Sequence, residues 1–318
     1  MITVLTGGTG GAKFVDGLRQ VVPQEELTII VNTGDDLVWW GLYTAPDLDS
    51  IIYMLAGKLS QERGWGVKGD TFFCQNAMGQ LGQPIWFNVG DRDLATHIFR
   101  SKLLAEGKTL SEVTSDIATR LGVKARILPM SDSRVETRVL TPVGDLSFEE
   151  YFVQRWYQDP VESVRFAGAA EAKPAPGVIE AIRSADLMLL APSNPITSIG
   201  PILAVPGIRE ALRENRSRIA AVSPIVGANA VSGPAGILMA AQGFAVSIAG
   251  VGDCYRDFLD LLVVDSSDAA AAESLRKTGL RVHCTPTIMQ KPGDRVALAK
   301  SVLGAVKQPQ PRAGSERV

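Results

Sequence analysis

Apolar residues fall into short unbroken runs rich in Val, Ile and Leu, separated by longer stretches with helical spacing. The runs predict strands at Ile2 to Thr6, Leu27 to Asn32, Asp186 to Ala191, Arg218 to Ser223, Phe244 to Ala249, Leu262 to Asp265 and Leu280 to Cys284. Runs without polar alternation are what strands covered on both faces require. The intervening spacing predicts helices over Lys13 to Val22, Ser50 to Leu59, Pro206 to Glu214, Ala235 to Gln242, Tyr255 to Leu261, Ala269 to Thr278 and Arg295 to Val306. This alternation implies an α/β fold: a doubly wound, mostly parallel sheet in a Rossmann-like three-layer core.

Residues 60–160 depart from the rhythm, with helix signals at Asp93 to Glu106 and Leu110 to Leu121 and a hairpin pattern at Glu136 to Leu146, where Pro142 and Gly144 mark the turn. The stretch reads as a smaller inserted cap. Residues 1–59 and 161–306 then form the nucleotide-binding core, and 307–318, with little apolar surface, a flexible tail. Residues 219–252 carry no charge, but Pro224, Pro234 and the glycines at 227, 233, 236, 243 and 250 break them into soluble-core elements rather than a membrane span.

The chain has 318 residues, ample for a large core without disulfide staples. Lys and Arg total 32 against 34 Asp and Glu, so the basic excess that neutralises a nucleic-acid backbone is missing and a small-molecule partner is expected. Cys74, Cys254 and Cys284 are widely spaced and suit reduced thiols, and the first residues lack the basic n-region of a signal peptide; both point to the cytoplasm.

Candidate chemistry begins where the first strand runs into Gly7-Gly8-Thr9-Gly10-Gly11 and a helix. Glycines there let amides approach an anion unobstructed, and the helix end adds partial positive charge, so a phosphate is the natural guest. Lys13 stands where the dinucleotide fingerprint needs its last glycine, and Phe14 where a Walker loop needs its Ser or Thr, so this is a phosphate loop of another kind. A tight turn without a ligand is the bland alternative. Three acidic clusters follow, in Asn32-Thr33-Gly34-Asp35-Asp36, in Asp47-Leu48-Asp49 and in Asp91-Arg92-Asp93. Asp47, Asp49 or Asp93 could serve only as helix caps. If the clusters share the carboxyl edge of the sheet with the glycine loop, however, they would repel a phosphate unless a cation intervened, and Mg²⁺ is the expected mediator. Arg92 offers a planar fork for a further phosphate or carboxylate. The late loop from Pro192 to Pro201 presents hydroxyls and an amide suited to a base, sugar or phosphate, or to turn-building alone. Two histidines are too few for a histidine triad or zinc site, and Trp65, flanked by glycines, is the best indole for stacking on a planar ring.

Seven segments together are similar to one family: Gly7-Gly8-Thr9-Gly10-Gly11, Asn32-Thr33-Gly34-Asp35-Asp36, Pro46-Asp47-Leu48-Asp49, Arg63-Gly64-Trp65-Gly66, Gly90-Asp91-Arg92-Asp93-Leu94-Ala95-Thr96-His97, Leu128-Pro129-Met130-Ser131-Asp132 and Pro192-Ser193-Asn194-Pro195-Ile196-Thr197-Ser198-Ile199-Gly200-Pro201. As a set, spread from the first strand to about Asp265, they resemble the 2-phospho-L-lactate transferase family of deazaflavin coenzyme (F-420) biosynthesis. The resemblance implies transfer of a phospholactyl-type group from a guanosine diphosphate-linked donor to the ribityl hydroxyl of 7,8-didemethyl-8-hydroxy-5-deazariboflavin, with release of GMP, Mg²⁺ as cofactor and a homodimer.

On that reading the expected metal ligands are Asp36, Asp47 and Asp49. The nucleotide is expected on Gly8, Thr9, Gly10, Gly11 and Lys13 and near Ser193, Asn194, Thr197 and Ser198. The deazaflavin is placed beside Asp49, Trp65, Arg92 and His97, and catalysis on Asp49, Asp36 and Arg92, with Asp49 ahead of Asp36 as proton acceptor. The donor's acid is left open among phospholactate, phosphoenolpyruvate and phosphoglycerate, which a single pocket residue could separate. The main rival is a related non-enzymatic regulator that binds a sugar nucleotide, which lacks the Gly90 to His97 segment; a nicotinamide-dependent dehydrogenase is weakened by the broken fingerprint.

Overall fold

In the computed structural model, which describes residues 1–307, seven parallel strands form the central sheet. They are β1 (Ile2–Thr6), β2 (Leu27–Val31), β3 (Arg126–Pro129), β4 (Leu187–Leu190), β5 (Ile219–Val222), β6 (Leu261–Val264) and β7 (Arg281–Cys284), in the spatial order β7-β6-β5-β4-β1-β2-β3. Each registers in parallel with its neighbour, as Val4 does with Ile29 on one side and Leu189 on the other. This is the doubly wound α/β sheet expected from the sequence. Alternate residues feed two cores: Val4, Ile29, Val31 and Leu189 lie in one, and Leu5, Ile30, Met188 and Leu190 in the other. The order reverses between β1 and β4, which makes the carboxyl ends of these two strands the topological switch point where open sheets bind ligands.

Helices α1 (Gly8–Leu18), α2 (Pro46–Leu55), α3 (Asp91–Ala105) and α4 (Leu110–Arg120) belong to the amino-terminal half. The first, second and fourth cover one face of the sheet together with helix Pro292–Val306. A three-stranded antiparallel sheet, Glu136–Thr141 between Gly144–Ser147 and Ser163–Ala167, docks on the carboxyl edge, where the Thr137 N–H reaches the Gly34 carbonyl at 2.7 Å.

Several expected boundaries move. Residues 60–160 do not stand wholly outside the core, because β3 lies within them and closes one edge of the central sheet, while Ser163–Ala167, expected in the core, pairs with the hairpin instead. Phe244 to Ala249 is not a strand: the Ser247 side chain caps helix Ile248–Cys254 by accepting from the Gly250 N–H at 3.2 Å. The helix expected over Lys13 to Val22 starts at Gly8, so Thr9, Gly10 and Gly11 form its first turn. That over Tyr255 to Leu261 is displaced to Ile248–Cys254. Apart from Lys307, the tail expected at 307–318 lies outside the described residues. Among the described residues no helix is long and apolar enough to cross a membrane.

Candidate active site

The site grows from the switch point. Gly7 leaves β1 in an extended conformation and α1 begins at the next residue, so the glycine turn is the amino end of a helix. Gly7, Gly10 and Gly11 are each required by a close approach. A Cβ on Gly7 would sit 2.5 Å from Asp47 Oδ2, one on Gly10 2.6 Å from the Pro192 carbonyl, and one on Gly11 1.9 Å from Thr6 Oγ1. The loop after β4 closes the other side: Ser193 Oγ donates to the Gly7 carbonyl at 2.7 Å and lies 3.3 Å from the Gly7 amide. The two loops are thereby stapled across the switch.

The loop after β2 is tied to the same edge, because the Asn32 N–H continues the ladder onto the Thr6 carbonyl. Its side chain donates toward Asp35 Oδ2 and Asp47 Oδ2, each at 2.9 Å. Asp47, in the first turn of α2, also accepts from the Gly8 amide at 2.6 Å, so a carboxylate from one element rests on the first amide of α1. Asp36 accepts from the Tyr43 hydroxyl at 2.8 Å. Asp35, Asp36, Asp47 and Asp49 are all buried. Burial raises the pKa of Asp36 well above the usual carboxylate range against the pull of Tyr43 and Arg100. It does the same for Asp35, where the charges of Asp47 and Glu149 add to it. Asp47 is pushed to about 6 by burial despite its bonds to Asn32 and Gly8, and Glu149 to about 8 by burial and the charge of Asp47.

Asp49 belongs to a second, adjoining network. Its two oxygens are forked by the guanidinium of Arg100, which is fully buried. His97 stands between carboxylates, with Nδ1 3.5 Å from Asp49 and Nε2 3.6 Å from Asp93, and Asp93 also accepts from the Tyr53 hydroxyl at 2.8 Å. Burial opposes the charged form of Asp93, but the His97 contact and the Tyr53 bond hold its pKa below the ordinary value. Asp49, Asp93 and His97 have the donor atoms of a small metal site, yet Arg100 already supplies the positive charge there.

Spacing alone left open whether the glycine loop, the three acidic clusters and the late Ser/Asn loop meet; the fold brings them to one edge. Residues 2–299 match the family model described as 2-phospho-L-lactate transferase CofD. The chain belongs to this family. It is 45% identical to 2-phospho-L-lactate transferase of Methanococcoides burtonii over 90% of this chain and 93% of that one. It is 43% identical to the transferase of the same name from Methanothermobacter thermautotrophicus (96% and 98% covered), and 43% identical to phosphoenolpyruvate transferase of Streptomyces griseus (95% and 97%). A UPF0052-family crystal structure from Bacillus halodurans shares the fold, with TM-score 0.63 and 17% identity over 95% of this chain and 98% of that one. The chain is accordingly a transferase.

Within this family frame the expected residues divide. Gly8, Gly10, Gly11, Ser193, Asp36 and Asp47 converge at the carboxyl edge, and Ser198 joins them, its Cβ 2.9 Å from where a Gly7 side chain would begin. Thr197 is fully buried with its hydroxyl unpaired, and its carbonyl lies 3.2 Å from the Asn32 amide. Thr9 is exposed and Lys13 half-buried on α1. Asn194 spends its carbonyl oxygen on the Ile196 amide at 2.9 Å and so builds its own turn. Of the residues expected to hold the deazaflavin, His97 joins Asp49, whereas Arg92 is exposed at the start of α3 with its guanidinium 3.2 Å from the Lys68 carbonyl. Trp65 carries Arg63 over its ring at 5.3 Å. Capping of α3 falls to Asp70, which accepts from the Arg92 and Asp93 amides, so Asp93 is free for the His97 network.

Sequence reasoning missed Asn32 as a side chain with a task, and missed Tyr43, Glu149 and Arg100. The spacing 93, 97, 100 put three chemical side chains on one face of α3, the only available signal for Arg100. Replacing Arg100 by Met is expected to cost about 3–5 kcal/mol, since Asp49 would be buried without its counter-ion. Urea denaturation measures it, and Asp49→Asn in the same chain should recover most of the loss; a cost below about 1 kcal/mol would contradict the pairing.

Proposed function

We propose that this chain transfers a phospholactyl-type group from a guanosine diphosphate-linked donor to the ribityl hydroxyl of 7,8-didemethyl-8-hydroxy-5-deazariboflavin and releases GMP, as a step of F-420 biosynthesis. The observation that carries the reading is the meeting of the glycine loop with Asp47, which Asn32 ties to the Asp35-Asp36 turn, at the switch point of a chain in the 2-phospho-L-lactate transferase family. In the reaction the acceptor hydroxyl oxygen bonds to the phosphorus carrying the three-carbon acid, the diphosphate P–O bond breaks, GMP takes the electron pair, and the hydroxyl proton is lost. Such a displacement is governed by alignment and by charge stabilisation.

The free donor atoms fit a hard divalent cation. Asp35 Oδ1, Asp36 Oδ1 and Thr33 Oγ1 are buried oxygens without partners, the donor type Mg²⁺ selects. Asp36 would hold the ion together with Asp47, whose oxygens accept only from the neutral amides of Asn32 and Gly8; Asp49, also expected to, has both oxygens on the Arg100 cation and suits the acceptor side instead. When bound, Mg²⁺ would neutralise charge on the diphosphate oxygens. The Gly10 and Gly11 amides, in the first turn of α1, would bind phosphate oxygens, and Ser193 holds their loop against the opposite strand. Of the two expected proton acceptors, Asp36 is better placed than Asp49, whose oxygens are both on Arg100.

Incubating the protein with the deazaflavin and each of the three guanylylated acids, and reading products by mass spectrometry, tests the assignment. GMP should appear in equal amount with a phosphodiester of the deazaflavin, and the preferred acid names the donor. Binding of a UDP-sugar without turnover, and no product with any donor, would favour the regulator reading instead. Homodimerisation and a cytoplasmic location are expected of this enzyme and are tested by light scattering and cell fractionation.

A further inference from the structure

We propose that Asn32 is a positioning residue of the transfer site: its carboxamide locks Asp35 and Asp47 into one pair and seats Asp47 against the glycine loop. Asn32 is fully buried at the carboxyl end of β2. Its Oδ1 accepts from the Gly34 amide at 2.8 Å, which fixes which way the carboxamide faces. The amino group is therefore turned to three acceptors: Asp35 Oδ2 and Asp47 Oδ2 at 2.9 Å and the Thr197 carbonyl at 3.2 Å. It gathers segments from after β2, the start of α2 and the loop after β4, the elements that meet at the switch point. With one Asp47 oxygen held this way, the other lies on the Gly8 amide. The missing side chain at Gly7 permits this arrangement, since a Cβ there would be 2.5 Å from Asp47 Oδ2 and 3.0 Å from Asn32 Cβ.

The residue type separates this role from simple turn formation. The turn closed by the Gly34 amide needs only a side-chain acceptor, which Asp supplies as well as Asn. Only the carboxamide adds a donor between two carboxylates. Asn32→Asp keeps the shape and the turn but replaces that donor with a third negative charge.

The inference rests on the proposed reaction for its activity readout alone. Asn32→Asp should lower kcat for GMP release at least 100-fold while KM for the deazaflavin stays within threefold. The double variant Asn32→Asp/Asp35→Asn restores the wild-type count of carboxylates and one amide–carboxylate pair. Its thermal stability should return toward wild type, but kcat should remain at least 30-fold down, because residue 32 still faces Asp47 with an acceptor. A single variant within threefold of wild-type kcat, or a double variant that regains it, overturns the proposal, and the double variant decides alone if the single one does not fold. A measurement on unaltered protein stands beside these: in ¹⁵N-labelled wild type, the Asn32 side-chain amide resonances should shift when GDP and Mg²⁺ are added together, and unmoved resonances in a sample that binds GDP overturn it. If wild type binds GDP but releases GMP from none of the donors, the reaction assignment fails while the resonance test still judges Asn32.

Discussion

Asp36→Asn is expected to abolish GMP release from a guanylylated donor even at high Mg²⁺, while leaving the fold as stable as wild type or more so. Asp36 is buried, one oxygen accepts from Tyr43 and the other has no partner. Asparagine can keep the Tyr43 bond through its carbonyl oxygen, so the loop after β2 should hold its course. What is lost is a negative charge that burial already makes costly and that only a cation or a transferred proton would repay. On the proposed metal role, losing this ligand removes several kcal/mol of transition-state stabilisation, roughly a thousandfold or more in rate. Rate assays across a Mg²⁺ titration, paired with urea denaturation, make the check. A rate within tenfold of wild type would remove Asp36 from both the metal and the proton-acceptor roles.

How much of this was legible before folding differs between scaffold and site. Three of the seven central strands, β4, β5 and β6, are continuous apolar runs and β1 and β2 are interrupted only by threonines, a pattern that burial on both faces produces directly. β3 escaped because it offers only Arg-Ile-Leu-Pro, and its proline is tolerated for the reason that the strand sits at the sheet edge. Phe244 to Ala249 misled in the opposite direction: it is apolar enough for a strand, but Gly243, with positive φ, and the Ser247 cap commit the chain to a helix. Local capping chemistry outweighed hydrophobicity there.

The site was legible where chemistry is written into the local chain, as in the glycines that must approach Asp47, Pro192 and Thr6. It was hidden where the partner is distant in sequence. Nothing near Asp49 announces that Arg100, 51 residues later, takes both its oxygens, a pairing that argues against the metal role expected of Asp49. Glu149 was hidden for the same reason: it follows a hairpin that looked peripheral, yet its charge is felt at Asp35 and it feels the charge of Asp47.

These buried carboxyls make stability itself pH-dependent in an unusual direction. A carboxyl whose pKa is higher in the folded than in the unfolded chain holds its proton more tightly when folded. Its contribution is therefore fully present below the unfolded value and lost as pH rises through the folded one. For Asp47 that window runs from 3.8 to about 6, and for Glu149 from 4.5 to about 8; Asp35 and Asp36 shift the same way. At about 1.4 kcal/mol per pKa unit, the metal-free protein should lose several kcal/mol between pH 5 and pH 8.5. Asp93, held below its ordinary value, works oppositely but only at lower pH, which places the stability maximum near the acid end. Urea denaturation in EDTA at a series of pH values measures the slope. Adding GDP with Mg²⁺ should flatten it, because bound positive charge favours the ionised carboxylates, and Asp47→Asn should remove part of the slope without any ligand. Metal-free protein as stable at pH 8 as at pH 5.5 would mean that these carboxyls do not share one desolvated site, and the cation reading would fall with them.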